Sequence, residues 1–157
     1  MSKANTDLNN MPQRPLAAVN LENCSALKKL ELIKCPNLRS ENFIYRGCNA
    51  ITEININECP WLMDLNFKGL PLLSRLTIEK CDNLTEFNCA EHETLNELNL
   101  QKCQNLQKVV LNDMEVLEEL DLSRDLPSLS DVNLSGSANL KRLKLAKKEK
   151  EEPQLYS

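Results

Sequence analysis

The chain has 157 residues, 41% hydrophobic yet only 4% aromatic, with three glycines and a net charge of −4. That length holds one ordinary domain and no second core, with an interior built from Leu, Ile, Val and Cys. The acidic balance argues against a nucleic-acid partner, the glycine count against a phosphate-cradling loop, and no apolar run nears the roughly 18 residues of a bilayer span.

Residues 1–15, MSKANTDLNNMPQRP, are polar and carry Pro12 and Pro15. They lack the apolar stretch of a secretory signal and read as an N-terminal cap or a disordered lead-in. From Leu16 onward the motif LxxLxLxx(C/φ), with φ any apolar residue, recurs about every 11 residues. Units open at Leu16, Leu27, Leu38, Ile51, Leu62, Leu73, Leu84, Leu95, Leu106, Leu117, Leu129 and Leu140. Spacing departs from 11 only before Ile51, where it is 13, and before Leu129, where it is 12. In the unit opening at Leu38, Glu41 takes the second apolar slot and breaks the motif. The repeat domain spans 16–146, and 147–157 form a charged tail.

Fixed self-similarity of this kind marks a solenoid. Eleven residues, at about 3.3 Å each, give a perimeter near 36 Å, too short to close two walls about 10 Å apart. Two units close a coil of 22 residues, so twelve units make about six coils stacked about 4.8 Å apart. Positions four and six point inward and position five outward, by the period-two rule. LxxLxL lacks the sustained stripe of a helix.

The seven cysteines follow the repeat. Cys35, Cys59, Cys81 and Cys103 hold the ninth position of alternate units, Cys24 and Cys48 lie in intervening ones, and Cys89 replaces a core aliphatic. They read as buried free thiols, not disulfides, and an odd count without a signal peptide fits a reducing, cytoplasmic compartment. There is no CxxC or HxxxH, and His92 is the only histidine, so no metal is expected.

Units opening at Leu27, Ile51, Leu73, Leu95, Leu117 and Leu140 carry the cysteine column. They read ALKKLELIKCPNL, AITEININECPWL, LLSRLTIEKCDNL and TLNELNLQKCQNL. This series resembles the leucine-rich repeat, LxxLxLxx(N/C)xxL, in its short cysteine-bearing form, over about 130 residues. The resemblance implies a leucine-rich repeat solenoid of the α/β-solenoid class, here β-rich. It would have about six right-handed coils, with the cysteine-bearing units forming a parallel concave β-sheet. The other units repeat the strand motif nearly as well, as in LMDLNFKGL and LQKVVLNDM, which leaves a flatter two-walled β-solenoid open. Phe43, Phe67 and Phe87 lie in that outer set.

Two asparagine columns accompany the outer units. Asn37, Asn83 and Asn105 precede the outer leucine, and Asn20, Asn42, Asn66, Asn88 and Asn133 hold the fifth position. Running nearly end to end, they read as stacking or turning elements in preference to a ligand-binding ladder.

Solenoids bind other macromolecules along an extended face. The outward positions of the cysteine-bearing units are therefore the candidate partner-binding residues: Lys29, Glu31, Glu53, Asn55, Arg75, Thr77, Glu97, Asn99, Glu119, Asp121 and Arg142. With Lys28, Glu118, Lys141 and Lys144 beside them, they make a basic start, a mixed polar middle, an acidic fifth coil and a basic end. Such bands would set register with a partner; the plainer alternative is that exposed sheet positions are simply polar. Arg75 and Arg142 are the best anchors, while Trp61, beside Pro60 at a corner, reads equally as core edge or contact.

A nucleophile needs a base, and His92 falls in a column otherwise held by Leu70 and Met114. No catalytic residue or cofactor is expected, and Glu118, Glu119 and Asp121 read as a solvated face in preference to a cation site. In the tail, Glu149, Glu151 and Glu152 cluster, and Leu155 stands third from the end. This is similar to the C-terminal translocation signals of bacterial type IV secretion effectors, among which compact leucine-rich repeat proteins are common. The resemblance implies a chain translocated into a host cell, with a host protein as partner. The alternatives are an endogenous adaptor or receptor fragment, and a structural protein that associates end to end instead of remaining a monomer.

Overall fold

The computed structural model describes residues 15–146. They form a parallel β-solenoid of about six coils with almost no helix. Each of the twelve units supplies one strand. They are β1 (Val19–Asn20), β2 (Lys29–Ile33), β3 (Phe43–Ile44), β4 (Glu53–Asn57), β5 (Asp64–Asn66) and β6 (Arg75–Glu79), then β7 (Glu86–Asn88), β8 (Glu97–Gln101), β9 (Lys108–Val110), β10 (Glu119–Leu122), β11 (Asp131–Asn133) and β12 (Arg142–Leu145). Even-numbered strands build one wall, here the cysteine wall, ordered β2-β4-β6-β8 and then β10-β12. Odd-numbered strands build the asparagine wall, β1-β3 and then β5-β7-β9-β11. Every pair is parallel, and all but β1-β3 keep the register of the repeat, as in Glu53↔Arg75↔Glu97.

The register explains the core. Positions four and six of the cysteine wall turn inward, so Leu30, Leu32, Ile54, Ile56, Leu76 and Ile78 are buried, as are Leu120 and Leu122. Cys35, Cys59, Cys81 and Cys103 close the corner behind them, and Leu38, Leu62, Leu84 and Leu106 start the return wall. Aromatics fill the asparagine wall in the early coils, where Phe67 packs at 5.4 Å from Tyr45 and 6.4 Å from both Phe43 and Phe87.

The unit opening at Leu38 departs from the sequence reading. A 3-10 turn at Ser40–Asn42 absorbs its two extra residues, and β3 begins only at Phe43, in register with Val19. Phe43 thereby fills the slot assigned to Glu41, and Ile44, not Asn42, stands in the asparagine column beside Asn20. The reason is the cost of burying a carboxylate, which exceeds that of one extra turn; Glu41 stays exposed.

The corners use the left-handed region. Asn23, Gly47, Gly69, Glu91, Asp113 and Gly136 hold positive φ where the chain leaves the asparagine wall, and Lys34, Glu58, Lys80, Lys102 and Asp125 do so at the opposite corner. All three glycines of the chain thus share one corner column. At Gly47 the freedom is needed twice, because a Cβ there would also meet the Asn23 backbone at 3.2 Å.

Among the described residues no helix is long and apolar enough to cross a membrane. Glu149, Glu151, Glu152 and Leu155, along with residues 1–14 of the expected N-terminal cap, lie outside the described residues.

Candidate functional site

Strand register places all eleven candidate residues on one surface. Lys29 and Glu31 stand on β2, Glu53 and Asn55 on β4, Arg75 and Thr77 on β6, Glu97 and Asn99 on β8, Glu119 and Asp121 on β10, and Arg142 on β12. None is buried, because positions three and five of each unit face away from the core. Nine of them, all but Lys29 and Glu31, line a shallow groove of about 800 Å³.

Cross-coil ion pairs organise this face. Lys29 Nζ lies 3.1 Å from Glu53, and Arg75 donates to the other oxygen of Glu53 at 2.9 Å. The Glu53 carboxyl is held below its ordinary range chiefly by the Lys29 hydrogen bond, which in turn raises the Lys29 ammonium. At the far end Lys141 meets Glu118 at 2.7 Å, Arg142 meets Glu119 at 2.8 Å and Lys144 meets Asp121 at 3.3 Å. Asp121 is lowered to about 2, first by hydrogen bonds from Ser123 and then by Lys144. The acidic fifth coil and the basic sixth therefore neutralise each other inside the molecule. Between the two clusters lies a stretch with no ion pair, floored by Asn55, Thr77, Asn96 and Asn99, with Glu97 as its one carboxylate.

The cysteine wall is interrupted in that stretch. Corner hydrogen bonds run from Thr52 N to Lys28 O, Ser74 N to Thr52 O and Asn96 N to Ser74 O, then resume only with Lys141 N to Glu118 O. No ladder joins β8 to β10, and like charges, Glu97 and Glu119, hold the same column on either side. Leu98, in a column whose other members from Leu30 to Leu120 are buried, is only half-buried here. Val116 is 39% exposed at the same opening. Sequence reasoning missed both residues. Val116 was legible as an apolar residue one place before the unit opening, whereas the break was visible only as adjacent acids in one column.

The remaining candidates separate cleanly. His92 is buried, and its Nε2 lies 3.0 Å from the Phe67 carbonyl. Burial lowers its pKa, so the ring is neutral and donates to that oxygen. Cys48 and Ser137, in the same column, likewise donate to Leu21 and Leu111 carbonyls, which makes the column a backbone cap. Burial drives the Cys59 and Cys81 thiols up to about 12 and Cys103 up to about 11. Thiols so far from ionising are poor nucleophiles and poor metal ligands. Among the described residues no group of three or more His, Cys, Asp or Glu side chains is placed to hold a metal ion.

Asparagines serve the backbone. Asn66 and Asn88 each accept the N–H two residues on, from Lys68 at 3.1 Å and Ala90 at 3.2 Å, and Asn20 and Asn133 do the same. Asn83 and Asn105 reach back one coil to the Pro60 and Asp82 carbonyls. Trp61 is 47% exposed at its corner, with the Arg39 guanidinium 5.6 Å above its ring.

Compared with protein-family models, curated proteins and solved structures, the chain matches none.

Proposed function

We propose that this chain is a non-enzymatic protein-interaction module of the leucine-rich repeat kind, engaging a protein partner across the outward face of the cysteine wall. The observation that carries the reading is the groove of about 800 Å³ on that face, lined by nine of the eleven candidate residues. A face with its charges arranged in columns at coil spacing suits an extended partner surface better than a small substrate. His92 is tied to a backbone carbonyl and the Cys81 thiol is held far from ionising, so neither is poised as a nucleophile or base.

The test is affinity capture from eukaryotic lysate, comparing wild type with an Arg75→Glu, Asn99→Arg double variant. Both substitutions lie on exposed or half-exposed positions, and matching circular dichroism spectra and melting curves establish that the fold is kept. A partner held by wild type and lost by the variant supports the reading; equal capture by both removes the cysteine wall from it. The effector setting rests on the tail alone. Deleting residues 148–157 should abolish translocation of a reporter fusion, and undiminished translocation would discard it.

A second reading, end-to-end self-association, is favoured by Leu143 and Leu145, 41% and 53% exposed on the last strand. Continuing the ladder head to tail would set Lys28 against Lys141 and Lys29 against Arg142, which opposes it. Light scattering over a concentration series decides: mass that grows with concentration favours stacking.

A further inference from the structure

We infer that the opening between β8 and β10 receives the cationic side chain of an extended segment of the partner protein. Arginine fits it best. This inference rests on the binding-module reading and names the chemistry its partner brings.

Three observations converge on that opening. First, the wall is cut there: no strand ladder joins β8 to β10 and the hydrogen bond at the unit opening is missing, the nearest backbone link being Glu115 N to His92 O at the preceding corner, while β7-β9-β11 stay paired behind it. Backbone groups and the half-buried Leu98 therefore face the groove at this one place on the wall. Second, one carboxylate is left unpaired there. Five carboxylates and three cations line the groove, and with Lys29 and Lys141, which reach Glu53 and Glu118 from its rim, every carboxylate but one has an ion-pair partner. Glu97 alone among those carboxylates has no cation within 4.0 Å among the described residues; its ladder neighbour Arg75 is turned to Glu53. Third, the apolar side chains beside Glu97 select the class of cation. Leu98 and the exposed Val116 offer hydrocarbon contact to an aliphatic stem, which a hydrated metal ion cannot use. Among the described residues no group of three or more His, Cys, Asp or Glu side chains is placed there to hold a metal ion. Nucleic acid and anionic lipid are disfavoured by the unpaired carboxylate of Glu97, which repels phosphate.

In this arrangement the guanidinium pairs with Glu97, beside a Glu119 already held by Arg142, and its stem lies over Leu98 and Val116. The neighbouring amides of Asn96 and Asn99 are placed for the segment's backbone.

The test uses capped heptapeptides of alternating leucine and arginine, and the same peptides with citrulline, the neutral isostere, in place of arginine. Full-length protein with labelled methyl groups is titrated by NMR. The arginine peptide should shift the Leu98 and Val116 methyl signals and bind about tenfold more tightly than the citrulline peptide at low salt, with the preference shrinking as salt rises. Glu97→Gln should remove most of that preference. Glu86→Gln, an exposed change on the asparagine wall, should leave it intact. Equal binding of both peptides, shifts confined to other surfaces, or an unaltered preference in Glu97→Gln would each overturn the assignment. A partner captured through Arg75 and Asn99 but indifferent to Glu97→Gln would overturn it while leaving the binding-module reading in place. Arginine-selective binding with no wall-dependent partner would do the reverse.

Discussion

The two walls begin from the same 11-residue motif and end as different structures. Cysteine-wall strands run four or five residues; those of the asparagine wall run two or three. The fifth position separates them. On the asparagine wall an Asn there captures the N–H two residues on and turns the chain out of the strand. On the cysteine wall the same position holds Glu31, Asn55, Thr77 and Asn99, and the strand continues. Asp121 likewise accepts the Ser123 N–H at 3.0 Å, in a strand whose four residues match those of its ladder partner β12. In β1, β5, β7 and β11 the strand thus ends at a side chain that competes with the next coil for a single N–H, whereas β9 is equally short with Val110 at that place.

Three measurements probe that contrast, the strongest first. Phe67 is fully buried in the aromatic cluster of the asparagine wall, so Phe67→Ala should cost about 3–5 kcal/mol in urea unfolding. A cost near that of a surface change would mean the aromatics do not carry that wall. Next, Asn66→Ala removes a turn-forming acceptor and should cost about 1 kcal/mol, whereas Asn55→Ala, at the corresponding place on the other wall, should be near neutral. Equal costs would erase the proposed distinction.

The smallest effect concerns His92. Its pKa is lowered from 6.5 by burial, so the unfolded chain binds the proton first. Its contribution is present above about pH 6.5 and lost as pH falls through the folded value. Glu91 and Glu93 are the titratable groups beside it, both exposed. Placing methionine there, as at position 114 of the same column, should flatten the loss of stability between pH 7 and 5. An unchanged pH profile in His92→Met would assign that loss to the carboxylates.

Spacing made much of this legible. It located the strands, the inward columns and the face shared by Lys29 through Arg142, because burial alternates with chain position whatever the neighbours are. Register at an insertion was not legible. Whether Glu41 or Phe43 enters the core depends on comparing a buried carboxylate with an added turn, and the motif is blind to that cost. The neutralisation of coil five by coil six was hidden for a related reason. Glu118 and Lys141 are 23 residues apart, and only the ladder makes them neighbours.

The two departures from strict spacing lie in the same half-turn. The extra residues at Ser40–Asn42 and near Asp125 fall between a cysteine-wall strand and the following asparagine-wall strand. The opposite half-turn, from Leu21 to Leu27 through Leu134 to Leu140, keeps the same spacing of six in every coil. Its side chains cap the preceding coil at Cys48, His92 and Ser137, so added length there would tear out a buried hydrogen bond. The molecule therefore has a permissive flank and an intolerant one. Loops, tags or grafted epitopes belong after β2 or β10, where the solenoid already accommodates changes of length.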